Sequence, residues 1–231
     1  MLLNPTQEGT QMDRAAILET CRAELYSAVV SDTLDSLGYR RQVVQSVLQP
    51  LQDGMRIVGF ARVGIYMPIF HDDATVNVYE HEIRLVDGLK QGEVPVFVCH
   101  GNRRIAPWGE LLSTRAQYLG SAGCITDGCV RDVDMIREMG FPVFAGGRNP
   151  VDTKYRGKMM WADVPGVIGE VEVSSGDLVI ADLDGIVFVP ESLIETVMTK
   201  ALAKVRAETT VREELRNGAT LVEVFDRHGI L

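Results

Sequence analysis

Residues 120–133, GSAGCITDGCVRDV, constrain the fold more than any other stretch of the chain. Small residues lead into an apolar run, 122–126, that reads as a short buried strand. The run stops at Asp127-Gly128. Gly tolerates positive φ and Asp bonds its own backbone, so this pair predicts a tight turn. Beyond it stand Arg131 and Asp132, adjacent and opposite in charge. A strand that ends in such a turn is a usual place for α/β proteins to hold a ligand. Arg131 offers a planar fork of donors that fits a carboxylate or a phosphate. Asp132 offers hard oxygen to Mg2+ or a similar ion. The same residues also make a plain surface turn closed by a salt bridge.

Around this stretch, helical and strand-like patterns alternate. Residues 1–12 read as a loose arm. From Asp13, Ile17, Cys21, Leu25 and Val29 recur at helical spacing. Ser31 or Asp32 then caps a second short helix, which Gly38 ends. Residues 39–54 read as loop, and 55–66 as a strand in which Gly59 and Gly64 mark a bulge or a close approach. His71, Asp72 and Asp73 read as a helix cap with acidic first-turn residues, or as metal ligands. A helix is expected over 76–89 and a strand over 94–99.

In 106–119, APWGELLSTRAQYL, an apolar stripe predicts a helix that begins near Trp108 or Gly109. Its first-turn amides are unpaired, and Gly109 lets a ligand come close to them. The amides of Gly109, Leu111 and Leu112 therefore suit a carboxylate. The plainer alternative has Glu110 offset the helix dipole while Trp108 packs as a staple. After the central stretch come a helix over 134–139 and a strand over 141–145. Residues 146–163 form a polar loop whose Arg148, Lys154, Arg156 and Lys158 make it a lid over an acidic substrate or a solvated face. Short strands follow in 164–173 and 178–189, with a hairpin at Asp184-Gly185. Ser192 and Glu195 predict a capping box for a long helix that Asn217-Gly218 ends. A last short helix closes the chain, so 191–231 reads as a helical extension.

The 231 residues suit one domain. A net charge of −9 and the lack of a Lys/Arg-rich run argue against a nucleic-acid surface. No run of about 18 apolar residues exists, so no membrane span is expected. No basic region with an apolar core opens the chain, so no secretory signal is expected. Cys21, Cys99, Cys124 and Cys129 match no zinc or redox spacing. A reducing cytoplasm fits that usage.

WGELL at 108–112 and GCITDGCVRD at 123–132 together resemble the signature of a known family. It contains the class II 4-hydroxy-4-methyl-2-oxoglutarate / 4-carboxy-4-hydroxy-2-oxoadipate aldolases and the regulator of ribonuclease activity A. FPVFAGGRNP, GDLVIADLDGIVFVP and the ending EVFDRHGIL resemble later family blocks, so the likeness covers most of the chain from Asp53 onward. The resemblance implies an α/β fold with a β/β/α core like a swivelling domain, flanked here by N-terminal helices and a long C-terminal helix. It implies trimers or hexamers with the active site at a subunit interface, and a divalent cation, Mg2+ or Mn2+. By the same resemblance Asp132 coordinates the metal and Arg131 contacts the pyruvate moiety. Glu110 holds a proton-moving water, and the amides of Gly109, Leu111 and Leu112 bind pyruvate. A Glu from the neighbour's C-terminal helix reaches the metal waters; Glu208 matches best, with Glu213 and Glu214 as competitors.

Retro-aldol cleavage of a 4-hydroxy-2-oxo acid leaves pyruvate enolate, whose charge a Lys Schiff base or a metal must absorb. The five lysines fall in loops or on polar helix faces, which favours the metal. The same enolate would make oxaloacetate decarboxylation a side activity. Two other readings compete: a non-enzymatic protein-binding regulator, and another metal-dependent lyase or hydrolase on the same scaffold. The regulator departs from the D-G-x-x-R-D pattern, whereas this chain keeps Asp127, Arg131 and Asp132.

Overall fold

The structure, a computed structural model, describes residues 13–44, 48–71 and 74–230. The expected loose arm of residues 1–12 and the Asp72-Asp73 pair lie outside them. His71 is exposed.

Two helices, α1 (Arg14–Glu24) and α2 (Ser27–Ser36), open the described chain. The single stripe from Ile17 to Val29 is thus split. Arg56 causes the break by donating to the carbonyls of Cys21, Arg22 and Leu25, which closes the end of α1. Ser31 and Asp32 do not cap α2 but lie within it. The carboxylate of Asp182 receives the backbone N–H of Ser27 at 2.8 Å and its hydroxyl at 2.6 Å, a cap supplied from across the fold.

The main sheet begins with a two-residue strand, β1 (Gln49–Pro50), and the long β2 (Ile57–Pro68). Then α3 (Glu80–Asp87), β3 (Glu93–Val98), α4 (Glu110–Tyr118), β4 (Cys124–Val130), α5 (Val133–Glu138) and β5 (Val143–Arg148) alternate. β6 (Gly157–Ala162) returns to the sheet, and β7 (Gly166–Ile168) with β8 (Val171–Val173) makes a separate hairpin. β9 (Leu178–Ala181) and β10 (Ile186–Val189) pair as the expected hairpin. The strand order is β1-β5-β4-β3-β2-β9-β10, with β6 on the second half of β2. β2 to β5 run parallel, and each step between them crosses over through a helix. All four therefore point their carboxyl ends to one edge, the edge where α/β sheets bind ligands.

Three apolar clusters hold this arrangement. One lies between α1, α2, β9, β10 and the long helix α6 (Ile194–Arg216). A second joins the sheet to the β7–β8 hairpin, and a third fills the space under α3, α4 and α5. Gly59 and Gly64 are close approaches, as expected: a Cβ at Gly59 would lie 2.5 Å from the carbonyl oxygen of Gly92, and one at Gly64 2.5 Å from Met159 Cε.

Four further expectations need correction. The strand of 122–126 does not stop at Asp127-Gly128; it runs on to Val130 through a bulge against β5. Asp127 bonds not its own turn but the backbone N–H groups of Cys99 and Gly101, so the pair stays in the sheet. The helix of 76–89 is shorter, and starts only at Glu80. The loop of 146–163 is largely strand, with only 149–156 between β5 and β6. Ser192 lies inside a 3-10 turn, Glu191–Leu193, set up by Pro190, and makes no capping box. The capping box of the C-terminal region is Thr220 with Glu223, at the start of α7 (Leu221–His228). Among the described residues no helix is long and apolar enough to cross a membrane.

Candidate active site

Trp108 fixes the start of α4. Its indole is buried between Phe97, edge-on at 5.5 Å, and Phe141, stacked at 6.1 Å. Its N–H donates to Ser113 Oγ at 2.8 Å, and that hydroxyl donates to the carbonyl of Gly109. The carbonyl of Trp108 accepts the N–H of Arg131 at 3.0 Å, so the segment before α4 runs beside the end of β4. Two motifs separate in sequence thereby meet.

Gly109 is the contact point. A Cβ there would stand 2.8 Å from Asp132 Oδ2 and 3.1 Å from Arg131 Cγ, so glycine lets the two side chains lie close where any larger residue would push the Asp132 carboxylate aside. Asp132 sits in the left-handed region, at φ 57°, which Asp tolerates better than most residues. There its carbonyl opens α5 while its carboxylate turns to α4 and accepts the Glu110 N–H at 3.2 Å. Arg131 Nε lies 3.7 Å from the same Asp132 oxygen, and its other end lies 3.7 Å from Asp152 Oδ2.

These residues line a cleft of about 240 Å³ at the carboxyl edge of the sheet. Gly109, Leu111, Leu112, Arg131 and Asp132 all border it. Glu110 stands at its rim, with its carboxylate accepting the Thr114 hydroxyl at 2.7 Å. Glu208 does not join them within one chain: it lies on α6 and accepts the Tyr26 hydroxyl at 2.5 Å. Glu213 and Glu214 lie further along the same helix, where Glu214 pairs with Arg227 and His228. Burial pushes the Cys129 thiol up, and its sulfur bonds the Arg103 carbonyl at 3.4 Å, the setting of a packing residue.

The opposite end of the cleft holds residues that the sequence reasoning missed. Glu82 is 6% exposed, and its carboxyl accepts the hydroxyl of the fully buried Tyr66 at 2.5 Å. Burial lifts Glu82 to about 7, against the pull of the Tyr66 bond, with the nearby charge of Asp152 adding to the rise. Tyr79 donates to Asp152 Oδ2 at 2.8 Å; burial and that bond push the phenol up to about 12, so it stays a donor. Thr153 anchors the 149–156 loop by donating to the Ala106 carbonyl at 2.7 Å. One signal was available: Glu82 shares the buried helical stripe of Leu85 and Val86, where a carboxylate is out of place. Nothing local in the sequence brings Asp152 to this point.

A family model described as "RraA-like: Aldolase/RraA" matches residues 27–188, well over half of the chain. The chain belongs to the RraA-like family. It is 28% identical to DlpA of Legionella pneumophila over 84% of its own length, and spans about a third of that protein (31%). It is 29% identical to a Halalkalibacterium halodurans protein named "Putative 4-hydroxy-4-methyl-2-oxoglutarate aldolase", over 80% of this chain and 81% of that one. The structure of Streptomyces coelicolor RraAS2, described as an unusual member of the RNase ES inhibitor RraA protein family, superposes with a TM-score of 0.77. That match covers 87% of this chain and 98% of RraAS2, at 26% identity. The expected fold, with its N-terminal helices and long C-terminal helix, is therefore the family's.

Among the described residues, no three His, Cys, Asp or Glu side chains converge on one point. Asp132 alone faces the cleft beside the α4 amides. A single carboxylate fits Mg2+ or Mn2+, hard ions that keep several waters and take one or two carboxylates. It does not fit a cage that strips an ion of water.

Proposed function

We propose that this chain is a divalent-metal-dependent lyase that cleaves a 4-hydroxy-2-oxo acid to pyruvate and a second carbonyl compound. The meeting of the α4 N-terminus with Arg131 and Asp132 across Gly109 carries this reading. The amides of Leu111 and Leu112, at the positive end of α4, suit the carboxylate of a 2-oxo acid. Arg131 adds a donor fork for that carboxylate or for the enolate oxygen. Mg2+ or Mn2+ held by Asp132 would supply positive charge where the enolate develops. Glu110, through a water, would take the C4 hydroxyl proton as the C3–C4 bond breaks. All five lysines are exposed or half-buried, so none has the dry setting that a Schiff-base amine needs. The same site would decarboxylate oxaloacetate.

The working form in this reading is a cytoplasmic homotrimer or homohexamer, with Glu208 of a neighbouring copy reaching the metal waters. Leu221, Val222 and Phe225 support an assembly of that kind, since they leave an apolar face open on α7. The likeness to RraAS2 favours a second reading, a regulator that binds protein and performs no chemistry. A different metal-dependent lyase or hydrolase on this scaffold is a third.

Pyruvate release from 4-hydroxy-4-methyl-2-oxoglutarate and from oxaloacetate, with Mg2+ and with EDTA, tests the proposal. Metal-dependent turnover that Asp132→Ala abolishes is the expected result. A folded, metal-loaded protein that releases pyruvate from neither compound would sink the aldolase reading in favour of the regulator.

A further inference from the structure

The cleft has a second pole. Past Arg131 its wall is made by Tyr79, Glu82, Asp152 and Thr153, none of which the pyruvate-holding set uses. Arg131 is the one cation bordering the cleft among the described residues, and it already stands between Asp132 and Asp152. The basic residues of the 149–156 loop are turned elsewhere. Arg156 donates to the carbonyls of Asp152 and Lys154, and the Lys154 ammonium sits over the Tyr155 ring at 5.2 Å. What the loop brings to the cleft is therefore a carboxylate, although the segment is basic in sequence.

We propose that Tyr79, Glu82 and Asp152 form the subsite for the distal half of the substrate, and that it selects an uncharged, hydroxyl-bearing end over a second carboxylate. The inference rests on the aldolase reading and refines it. A substrate hydroxyl can donate to Asp152, whose two oxygens have lone pairs beyond those bonded to Tyr79 and to the Lys154 N–H. A second carboxylate there would meet Asp152, and among the described residues of this chain no cation besides Arg131 borders the cleft to balance it; repulsion of this kind is an effective source of selectivity. The relatives named for oxoglutarate cleavage are named for a substrate with two carboxylates; this chain is expected to depart from that preference.

Two compounds that differ only at C5 test this. In 4,5-dihydroxy-2-oxopentanoate C5 is a hydroxymethyl group; in 4-hydroxy-2-oxoglutarate it is a carboxylate. In both, the C4 hydroxyl gives up its proton and the C3–C4 bond breaks, its electron pair forming the enolate. Protonation at C3 then gives pyruvate, with glycolaldehyde from the first compound and glyoxylate from the second. With the full chain and Mg2+, kcat/KM is expected to favour the dihydroxy compound by at least about tenfold. Asp152→Asn should lower that ratio about fivefold or more, chiefly through a lower KM for the dicarboxylate. Tyr79→Phe, which keeps the charge, should leave the dicarboxylate disfavoured. The wild-type ratio decides alone if Asp152→Asn does not fold.

Exchange of the pyruvate methyl protons in D2O reads the enolate chemistry without any distal half. Exchange together with a preference for the dicarboxylate overturns the subsite and leaves the aldolase reading intact. Exchange with cleavage of neither compound overturns it as well. No exchange removes the aldolase reading, and the subsite falls with it.

Discussion

The two ends of the cleft are built in opposite ways. At one end, Gly109, Arg131 and Asp132 come from two short motifs, brought together where the segment before α4 bonds the end of β4, Cys129 to Ile105 and Arg131 to Trp108. At the other end, Tyr79, Glu82 and Asp152 come from a helix start, a buried stripe and a loop more than sixty residues away. The first end is polar, open and rich in unpaired amides. The second is acidic: its Glu82 carboxyl is buried and lifted to about 7, while Asp152 is as exposed as Asp132. The division suggests that the first end fixes the reaction and the second chooses what is attached to it.

The largest effect should come from the first end. Arg131→Ala is expected to lower both cleavage and pyruvate methyl exchange by about 10³-fold, measured as kcat/KM and as exchange rate, because it removes a donor from the developing charge. A loss confined to one substrate would move Arg131 to the distal end and break the contrast.

Gly109→Ala follows. Its Cβ would force Asp132 Oδ2 away from a 2.8 Å approach, and a displacement of that size costs about 10²-fold in activity. The melting temperature should change little by comparison, since the shift falls on a partly exposed side chain.

Glu82→Gln probes the second end through stability. Arg131, Asp152 and Tyr66 face this carboxyl; burial, helped by the Asp152 charge, outweighs the Tyr66 bond and Arg131 and lifts it to about 7. Between about 4.5 and 7 the folded chain therefore binds more protons than the unfolded chain. The contribution of Glu82 to stability is constant below that window, falls as pH rises through it, and is flat above. From pH 4.5 to 8 the wild type should lose about 2–3 kcal/mol relative to Glu82→Gln in urea unfolding. Parallel pH profiles for the two proteins would mean that Glu82 is not held protonated by its site.

The smallest effect should come from Thr153→Val. Freeing the loop from the Ala106 carbonyl removes one buried bond, about 1 kcal/mol, and should raise KM for cleavage about three- to tenfold. Pyruvate exchange should stay at the wild-type rate, because that loop borders the distal end.

The same contrast explains what the sequence disclosed. The alternation of strands and helices, the start of α4 at Gly109 and the Arg131–Asp132 pair were legible because each depends on neighbours in sequence. Where distant groups intervene, local reading failed. Asp182 starts α2 where Ser31 or Asp32 was expected to cap it, and Arg56 cuts one apparent helix into two. Asp127-Gly128 reads as a turn, yet the β3 end takes the Asp127 carboxylate and keeps the strand going. Asp152 belongs to the cleft only because Thr153 and Tyr79 hold its loop there.

The central claim is that the Gly109–Arg131–Asp132 corner forms pyruvate enolate with the help of a divalent cation. The most direct measurement is the loss of the pyruvate methyl signal by proton NMR in D2O, after EDTA treatment and again after Mg2+ is restored, for wild type and Asp132→Ala. The account predicts exchange that stops with EDTA, returns with Mg2+ and is absent in Asp132→Ala. Exchange that persists in Asp132→Ala, or a folded wild type that never exchanges with Mg2+ present, would contradict it.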